Sequence, residues 1–156
     1  MNLPQEVIEI SERFKLNKKQ LYLVGGSIRD YLLNKEPKDF DLATNAIPEE
    51  IHNFMAPDFS LLSIGEKFGV VAVVCENGTY EIATFRKDVG AGRRPDSVIF
   101  TSIEEDVKRR DLTINAMFFD IQEKKIVDLV GGINDLKNKI IRTVGNPEDR
   151  FEEDRL

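Results

Sequence analysis

The feature that most constrains this chain is a short apolar segment that ends at two glycines and leads into an amphipathic segment. Leu21-Tyr22-Leu23-Val24 predicts a buried strand, and the helical spacing of apolar residues over 27–33 predicts a helix. Gly25-Gly26 stands between them and predicts a tight turn. A strand, a glycine turn and a helix in this order indicate a fold that mixes both kinds of element.

Hydrophobic periodicity and turn residues predict the remaining elements. Helices are predicted at 4–16, from Pro48 onward, from Ser102 to about Arg109 and at 134–139. Strands are predicted at 39–44, within 59–85, and at 97–101, 117–121, 125–130 and 140–144. Asn77-Gly78 predicts a hairpin with a type I′ turn, and the glycine-rich segment 87–95 predicts a loop.

Length and charge limit the class of protein. The 156 residues suit one domain with a core of its own, and the longest apolar run, 68–75, is too short to cross a membrane. A net charge of −6 excludes binding of nucleic acid through bulk positive charge, so contact with phosphate has to be local. The single cysteine, Cys75, forms no internal disulfide, and no targeting segment is recognised, so we expect a cytoplasmic protein.

Two carboxylates lie in the next predicted strand. Asp39 and Asp41 are two positions apart, so their side chains would leave the same face of the strand and hold one or two divalent cations. An Asp-x-Asp pair alone is common by chance. The pattern as a whole specifies six residue types at fixed offsets, Gly25-Gly26-x-x-Arg29-Asp30 followed by Asp39-x-Asp41. A random sequence would contain these six residue types at these offsets with a probability on the order of 10⁻⁵.

The glycine turn and the arginine after it suit a phosphorylated ligand. Glycines let the backbone approach a triphosphate closely, and amide groups at the start of the next helix point toward it. The guanidinium of Arg29 would neutralise phosphate or contact a ribose, with Asp30 as its partner. The alternative is a plain tight turn at Gly25-Gly26 and a solvated ion pair at Arg29.

Glu81 is the candidate for a third carboxylate. It lies in the otherwise apolar segment 80–85, where an acid is costly unless it is exposed or bound. Metal ions held by such carboxylates activate a hydroxyl nucleophile and stabilise a leaving pyrophosphate. The alternative is that Glu81 faces water on one side of a hairpin.

A second dense cluster is Arg109-Arg110-Asp111-Leu112-Thr113-Ile114-Asn115-Ala116. One arginine would bind phosphate, Asn115 would contact a sugar or a backbone, and Thr113 would cap a short helix. The alternative is a helix C-terminus with favourable cations, which explains the arginines but not Asp111-x-x-x-Asn115.

These clusters, in this order, resemble a known family. The chain also carries Asp128-x-x-x-Gly132-x-x-Asp135-Leu136 and Arg150-Phe151-x-Glu153-Asp154. Together with the glycine turn, the Asp-x-Asp pair and the cluster at 109–116, they resemble the head and early neck of the class II tRNA nucleotidyltransferase and bacterial poly(A) polymerase family.

The resemblance implies an α+β fold of the DNA polymerase β-like nucleotidyltransferase type, with a small mixed or antiparallel sheet backed by helices. It implies binding of Mg²⁺ by Asp39 and Asp41, with Glu81 as an additional catalytic carboxylate. With the residue chemistry above, it places the incoming nucleotide at Gly25, Gly26, Arg29, Arg110, Asp111, Asn115 and Asp154. It also implies a head domain at 1–145 and the start of a neck helix at 146–156, with further chain beyond.

The implied activity is template-independent transfer of CMP and AMP from CTP and ATP to the 3′ end of tRNA, with release of pyrophosphate. A poly(A) polymerase, a CC-adding or A-adding specialist and a non-catalytic nucleotide-binding module remain alternatives. In this family the loop represented by 86–95 is linked to the switch from C to A addition, and its short form leaves that choice open. We expect the acidic fragment alone to bind tRNA weakly.

Overall fold

The computed structural model describes residues 1–90 and 96–148. Within these ranges, strands β1–β9 are Tyr22–Val24, Asp41–Thr44, Ser60–Gly65, Val70–Cys75, Gly78–Thr84, Arg86–Val89, Ser97–Phe100, Phe118–Asp120 and Lys125–Val127. Helices α1–α5 are Gln5–Leu16, Gly26–Leu32, Pro48–Met55, Ile103–Asp106 and Gly132–Lys137. Short 3-10 helices lie at Glu66–Phe68, Val107–Arg109 and Thr113–Asn115.

Seven strands form one mixed sheet in the order β3-β4-β5-β2-β1-β8-β9. Neighbouring strands are antiparallel except β2 and β5, which are parallel. In the register of β1 with β2, Val24 lies opposite Asp41. The chain that leaves β1 and the chain that enters β2 therefore meet at one end of the sheet. Strands β6 and β7 form a separate two-stranded sheet.

The core is divided between the two faces of the large sheet, because successive side chains of a strand point to opposite faces. On one face, Leu23, Leu42 and Ile82 belong to the same buried cluster as the apolar side chains of α1 and α3. The alternation of β1 and β2 sends Val24 and Ala43 to the other face, where they belong to a second buried cluster.

Aromatic rings dominate this second face. Tyr22, Phe85 and Phe118 contact one another with ring centroids 5.7 to 6.1 Å apart, in tilted or edge-on arrangements. Such geometries suit the quadrupoles of the rings. The rings therefore pack together next to the end of the sheet where Asp41 lies.

The predicted class, an α+β fold with a small mixed sheet backed by helices, is confirmed. The helix predicted at 4–16 is Gln5–Leu16, and its spaced residues Val7, Ile10 and Phe14 are fully buried. The predicted strand, glycine turn and helix are β1, Gly25 and α2. Ser102 caps α4 as predicted, since its hydroxyl oxygen accepts from the Glu105 N–H at 3.4 Å.

Two local predictions are wrong, and a third is wrong at its start. The hairpin β4–β5 forms, but its turn is not type I′, because Asn77 and Gly78 are not among the residues with positive φ. The start of the predicted loop 87–95 belongs to β6, which pairs with β7, and residues 91–95 lie outside the described residues. No strand spans 140–144, where Thr143 makes an isolated bridge to Leu112.

Among the helices of the described ranges, none has both the length and the apolar character that crossing a bilayer requires.

Candidate nucleotide-binding site

The turn after β1 has a backbone that only glycine adopts readily. Gly25 has φ 78° and ψ −140°, a combination that is strained for residues with a β-carbon. A β-carbon added at Gly26 would lie 3.2 Å from Nη2 of Arg29. The guanidinium of Arg29 therefore lies across the glycine turn.

Arg29 connects the glycine turn with the segment 109–116, which are far apart in the sequence. Its Nη1 donates to Oδ1 of Asn115 at 2.7 Å, across a separation of 86 residues. Its Nε and Nη2 donate to Oδ1 of Asp30 at 3.3 and 3.2 Å. About a third of the Arg29 side chain, 34%, stays exposed, so the arginine is oriented by protein partners and still accessible to a ligand.

Asp39 and Asp41 lie where β2 begins, and both are exposed. Asp39 precedes the strand instead of starting it, because the ladder with β1 ends at the pair Val24 and Asp41. The strand predicted at 39–44 is therefore shorter than expected, and strand alternation does not apply to Asp39. Their proximity shows in the pKa of Asp41, which is raised first by partial desolvation of its carboxyl group and second by the charge of Asp39.

Glu81 lies in β5 and is exposed. Leu42 and Ile82 are partners in the parallel register of β2 and β5, so Glu81 lies level with Asp41 one strand away. In the parts of the chain at 1–90 and 96–148, no three His, Cys, Asp or Glu side chains form a group that could hold a metal ion. Glu81 and the two aspartates thus do not form such a set of three ligands in the described ranges.

Arg110 covers the aromatic face beside Asp41. Its Cζ lies 5.0 Å from the ring centroid of Phe118, a cation–π contact. Phe118 pairs with Val24, which pairs with Asp41, so these three residues lie side by side on neighbouring strands. The positive charge of Arg110 opposes the rise in the pKa of Asp41.

Asp106, the acid that holds Arg110, is not among the predicted site residues. Its side chain is 1% exposed, and Nε and Nη2 of Arg110 donate to its Oδ1 at 3.1 and 2.8 Å. The available signal was an acid four residues before an arginine, the spacing at which side chains meet along a helix.

Two further residues of the second cluster bond within the protein. Oδ1 of the exposed Asp111 accepts from the backbone N–H of Leu112 at 2.6 Å. Thr113 does not cap the 3-10 helix, whose N-cap is Leu112, because its hydroxyl donates to Oδ2 of Asp135 at 2.7 Å. Asp154 lies outside the described residues.

The motif at 128–136 supports this cluster structurally. Oδ1 of Asp128 accepts from the N–H of Gly132 at 2.9 Å, and Oδ2 accepts from the N–H of Ile133 at 2.9 Å. These bonds fix the start of α5, whose buried Asp135 accepts from Thr113. The segment that carries Asn115 is thus fastened to α5.

The family model of the Poly A polymerase head domain matches residues 21–142, a range that begins one residue before β1 and contains both the glycine turn with Asp39 and Asp41 and the segment 109–116. The chain belongs to this family. Its relatives include the CCA-adding enzyme of Lactobacillus helveticus, 47% identical over 140 residues, or 88% of this chain and 34% of that protein. The CCA-adding enzyme of Ligilactobacillus salivarius is 46% identical over 161 residues, or 99% of this chain and 39% of that protein. The chain thus spans less than two fifths of the length of these curated relatives.

The family fold extends to a solved structure with a bound nucleotide. The Bacillus stearothermophilus CCA-adding enzyme in complex with CTP matches with a TM-score of 0.84 and 39% identity. The match covers 97% of this chain and 36% of that one. The head-domain family therefore has the same mixed sheet and helices as this chain.

Proposed function

We propose that this chain is the catalytic head of an enzyme that adds CMP and AMP, from CTP and ATP, to the 3′ end of tRNA and releases pyrophosphate. The observation that carries the proposal is at one end of the sheet, where the carboxylates of Asp39 and Asp41 adjoin Arg110 and the turn that bears Arg29. The relatives described above, at 46 and 47% identity, are CCA-adding enzymes, and the matched structure contains CTP.

Asp39 and Asp41 are the residues that would hold a divalent cation, with Mg²⁺ suited to their oxygen ligands. Within the described residues, neither carboxylate accepts a hydrogen bond or forms an ion pair, and Asp39 raises the pKa of Asp41. Two unpaired carboxylates that repel each other fit a cation between them. A bound cation would lower the pKa of the attacking 3′ hydroxyl and offset charge on the triphosphate.

Arg29 and Arg110 would bind the triphosphate. Asn115 and Asp30 orient the guanidinium of Arg29 across the glycine turn, and Asp106 orients that of Arg110 over Phe118. Fixed cations that meet developing negative charge stabilise it without reorganising during the reaction.

The backbone at Gly25 and Gly26 allows close approach of phosphate, as at other glycine-rich turns. Asn115 would also contact the sugar. Asp111 and Asp154 complete the proposed nucleotide site, and Asp154 would contact the base.

Glu81 would act as an additional carboxylate at the proposed metal site. Its position level with Asp41 supports this, because a modest change of side-chain conformation would turn it toward the aspartates. We expect Glu81→Gln to lower transfer and to raise the Mg²⁺ concentration needed for half-maximal rate. An unchanged Mg²⁺ requirement would leave Glu81 as a solvated residue of the hairpin.

The decisive experiment supplies the complete gene product with tRNA that lacks its last three nucleotides, with Mg²⁺, and with labelled CTP and ATP separately and together. We expect addition that halts at C-C-A. A long A-tail with ATP alone would assign a poly(A) polymerase, and addition of only C or only A would assign a specialist. No incorporation from any mixture, with nucleotide binding retained, would leave a non-catalytic binding module.

The matched control for this assay is Asp41→Ala. We expect it to abolish transfer and to leave the fold intact, since the Asp41 carboxylate accepts no hydrogen bond within the described residues. Full activity in this variant would refute the site.

A further inference from the structure

Asp106, at the end of α4, accepts hydrogen bonds from three different residues. Its Oδ1 accepts from Nε and Nη2 of Arg110. Its Oδ2 accepts from the backbone N–H of Arg86 at 2.8 Å and from Nε of Arg109 at 3.3 Å. Since only 1% of the Asp106 side chain is exposed, these donors replace the hydration of the carboxylate.

The position of Asp106 is fixed from two sides. Its own N–H donates to the carbonyl of Ser102, the residue that caps α4. Arg86, which donates to Oδ2, begins β6 and is held in turn by a 2.9 Å bond from its Nη1 to the carbonyl of Phe68. Because α4 and β6 both hold the carboxylate, Oδ1 is a rigid acceptor for Arg110.

Arg110 uses only one edge of its guanidinium to bind Asp106. Nε and Nη2 face the carboxylate, whereas Nη1 donates to no acceptor within 1–90 and 96–148. The Arg110 side chain is 15% exposed, and it lies over Phe118 on the face that carries Asp41. Burial lowers the pKa of Arg110, and the charge of Asp106 opposes that change. One edge is anchored, and the other is available to an anion.

We propose that Asp106 is a positioning residue for nucleotide binding, which holds Arg110 so that its remaining edge meets the triphosphate of CTP or ATP. The inference rests on the function proposed above. Asp106 does not touch the substrate in this arrangement and acts only through Arg110. Its effect on nucleotide affinity should therefore disappear when Arg110 is absent.

The test is a double-mutant cycle in the complete gene product, with Asp106→Asn and Arg110→Ala alone and together. The readout is the Kd of CTP and of ATP, measured by calorimetry, with a thermal melt of each variant. Asparagine keeps one acceptor oxygen for the Arg86 N–H but presents an amide to the guanidiniums. We expect Asp106→Asn to raise the Kd about tenfold, the loss typical of one charge-assisted hydrogen bond.

The matched control is Glu105→Gln, which removes the same charge one residue earlier. Glu105 pairs with Lys108 at 2.8 Å and makes no bond to Arg110. We expect its Kd for CTP to stay within about twofold of wild type, a change too small to report the loss of a hydrogen bond.

The positioning role is tested by the coupling between the two substitutions. We expect Asp106→Asn to raise the Kd by less than about twofold when Arg110 has already been replaced by alanine. The same rise in both backgrounds, or no rise in either, overturns the positioning role. If Asp106→Asn fails to fold, Asp106→Glu replaces it, because glutamate keeps the charge and moves the carboxylate by one methylene group. The same two results are required of it, a rise in Kd and the loss of that rise in the Arg110→Ala background. A folded wild-type protein that binds neither nucleotide contradicts the proposed function itself, which separates the two failures.

Discussion

Asp41 and Asp106 are both acids beside Arg110, and the protein treats them in opposite ways. Asp106 is 1% exposed and accepts from Arg86, Arg109 and Arg110. Asp41 is exposed, accepts no hydrogen bond within the described residues, and is repelled by Asp39. One carboxylate has every lone pair engaged by the protein, and the other has none engaged.

The difference in hydrogen bonding indicates a structural role for Asp106 and a ligand-binding role for Asp41. A buried carboxylate with several donors is costly to disturb, because its partners become buried and unpaired when it is removed. A carboxylate pair left without donors contributes little to stability and is disposed to bind a cation. The comparison therefore predicts opposite consequences for substitutions of the two acids.

Substitution of Asp41 should change the rate of the reaction more than substitution of Asp106 or Asn115 changes any property. We expect Asp41→Asn to lower the rate of nucleotide addition by at least about 10³-fold, or about 4 kcal/mol in transition-state stabilisation, because the amide cannot replace a charged ligand. The measurement is single-turnover incorporation of labelled CMP into trimmed tRNA. A rate within tenfold of wild type would remove Asp41 from the proposed metal site.

The next effect is on stability, and it belongs to Asp106. We expect Asp106→Ala to lower the free energy of unfolding by about 3 kcal/mol, because Arg109, Arg110 and the Arg86 N–H lose their common acceptor. Urea unfolding followed by circular dichroism measures this change. Asp41→Ala is the matched comparison, and an equal loss in the two variants would erase the distinction between the acids.

Arg29 is an intermediate case, because its partners leave its side chain partly exposed. We expect Asn115→Ala to raise the KM for CTP and ATP by about three- to tenfold with little change in kcat, because Arg29 loses a 2.7 Å hydrogen bond that orients it. Steady-state kinetics separate the two constants. The control is Asn134→Ala, an exposed asparagine on α5 whose side chain makes no hydrogen bond within the described residues, and its KM should match wild type.

The smallest effect is the pH dependence of stability at Asp41. Folding raises its pKa, so the native state binds the proton more tightly than the unfolded chain. The free energy of unfolding therefore falls as pH rises from the ordinary value of 3.8 through the raised value, and the cost persists at neutral pH. We expect Asp41→Asn to become progressively more stable than wild type across this window, measured by urea unfolding with a chelator present. A difference that does not vary with pH contradicts the raised pKa.

Much of the architecture around the site was predictable, because it follows from local signals. The apolar run before Gly25 and the amphipathic segment after it define β1, the turn and α2, and the backbone at Gly25 shows why glycine stands there. The spacing of apolar residues in 4–16 predicted α1, because residues three and four positions apart are buried together only on one face of a helix. The prediction of a type I′ turn at Asn77-Gly78 was wrong, because this residue pair allows positive φ angles but does not require them.

The site was predictable as a set of residue types but not as an arrangement. Sequence spacing put Asp39 and Asp41 on one face of a strand, whereas the short partner strand β1 ends the ladder at Asp41. Asp106 was not predicted as a site residue, because an acid near an arginine is common on protein surfaces. Its importance appears only when burial and the three donors are known.

The mixed class, the glycine turn and the residue types of the site follow from composition, periodicity and fixed offsets, which are local properties of the chain. The contact of Arg29 with Asn115 across 86 residues and the anchoring of Arg110 by Asp106 do not follow from them. Such long-range contacts depend on strand order. Pairing β1 with both β2 and β8 brings Asp41 and Phe118 to one end of the sheet, with Arg110 over the Phe118 ring, and no local pattern specifies that order.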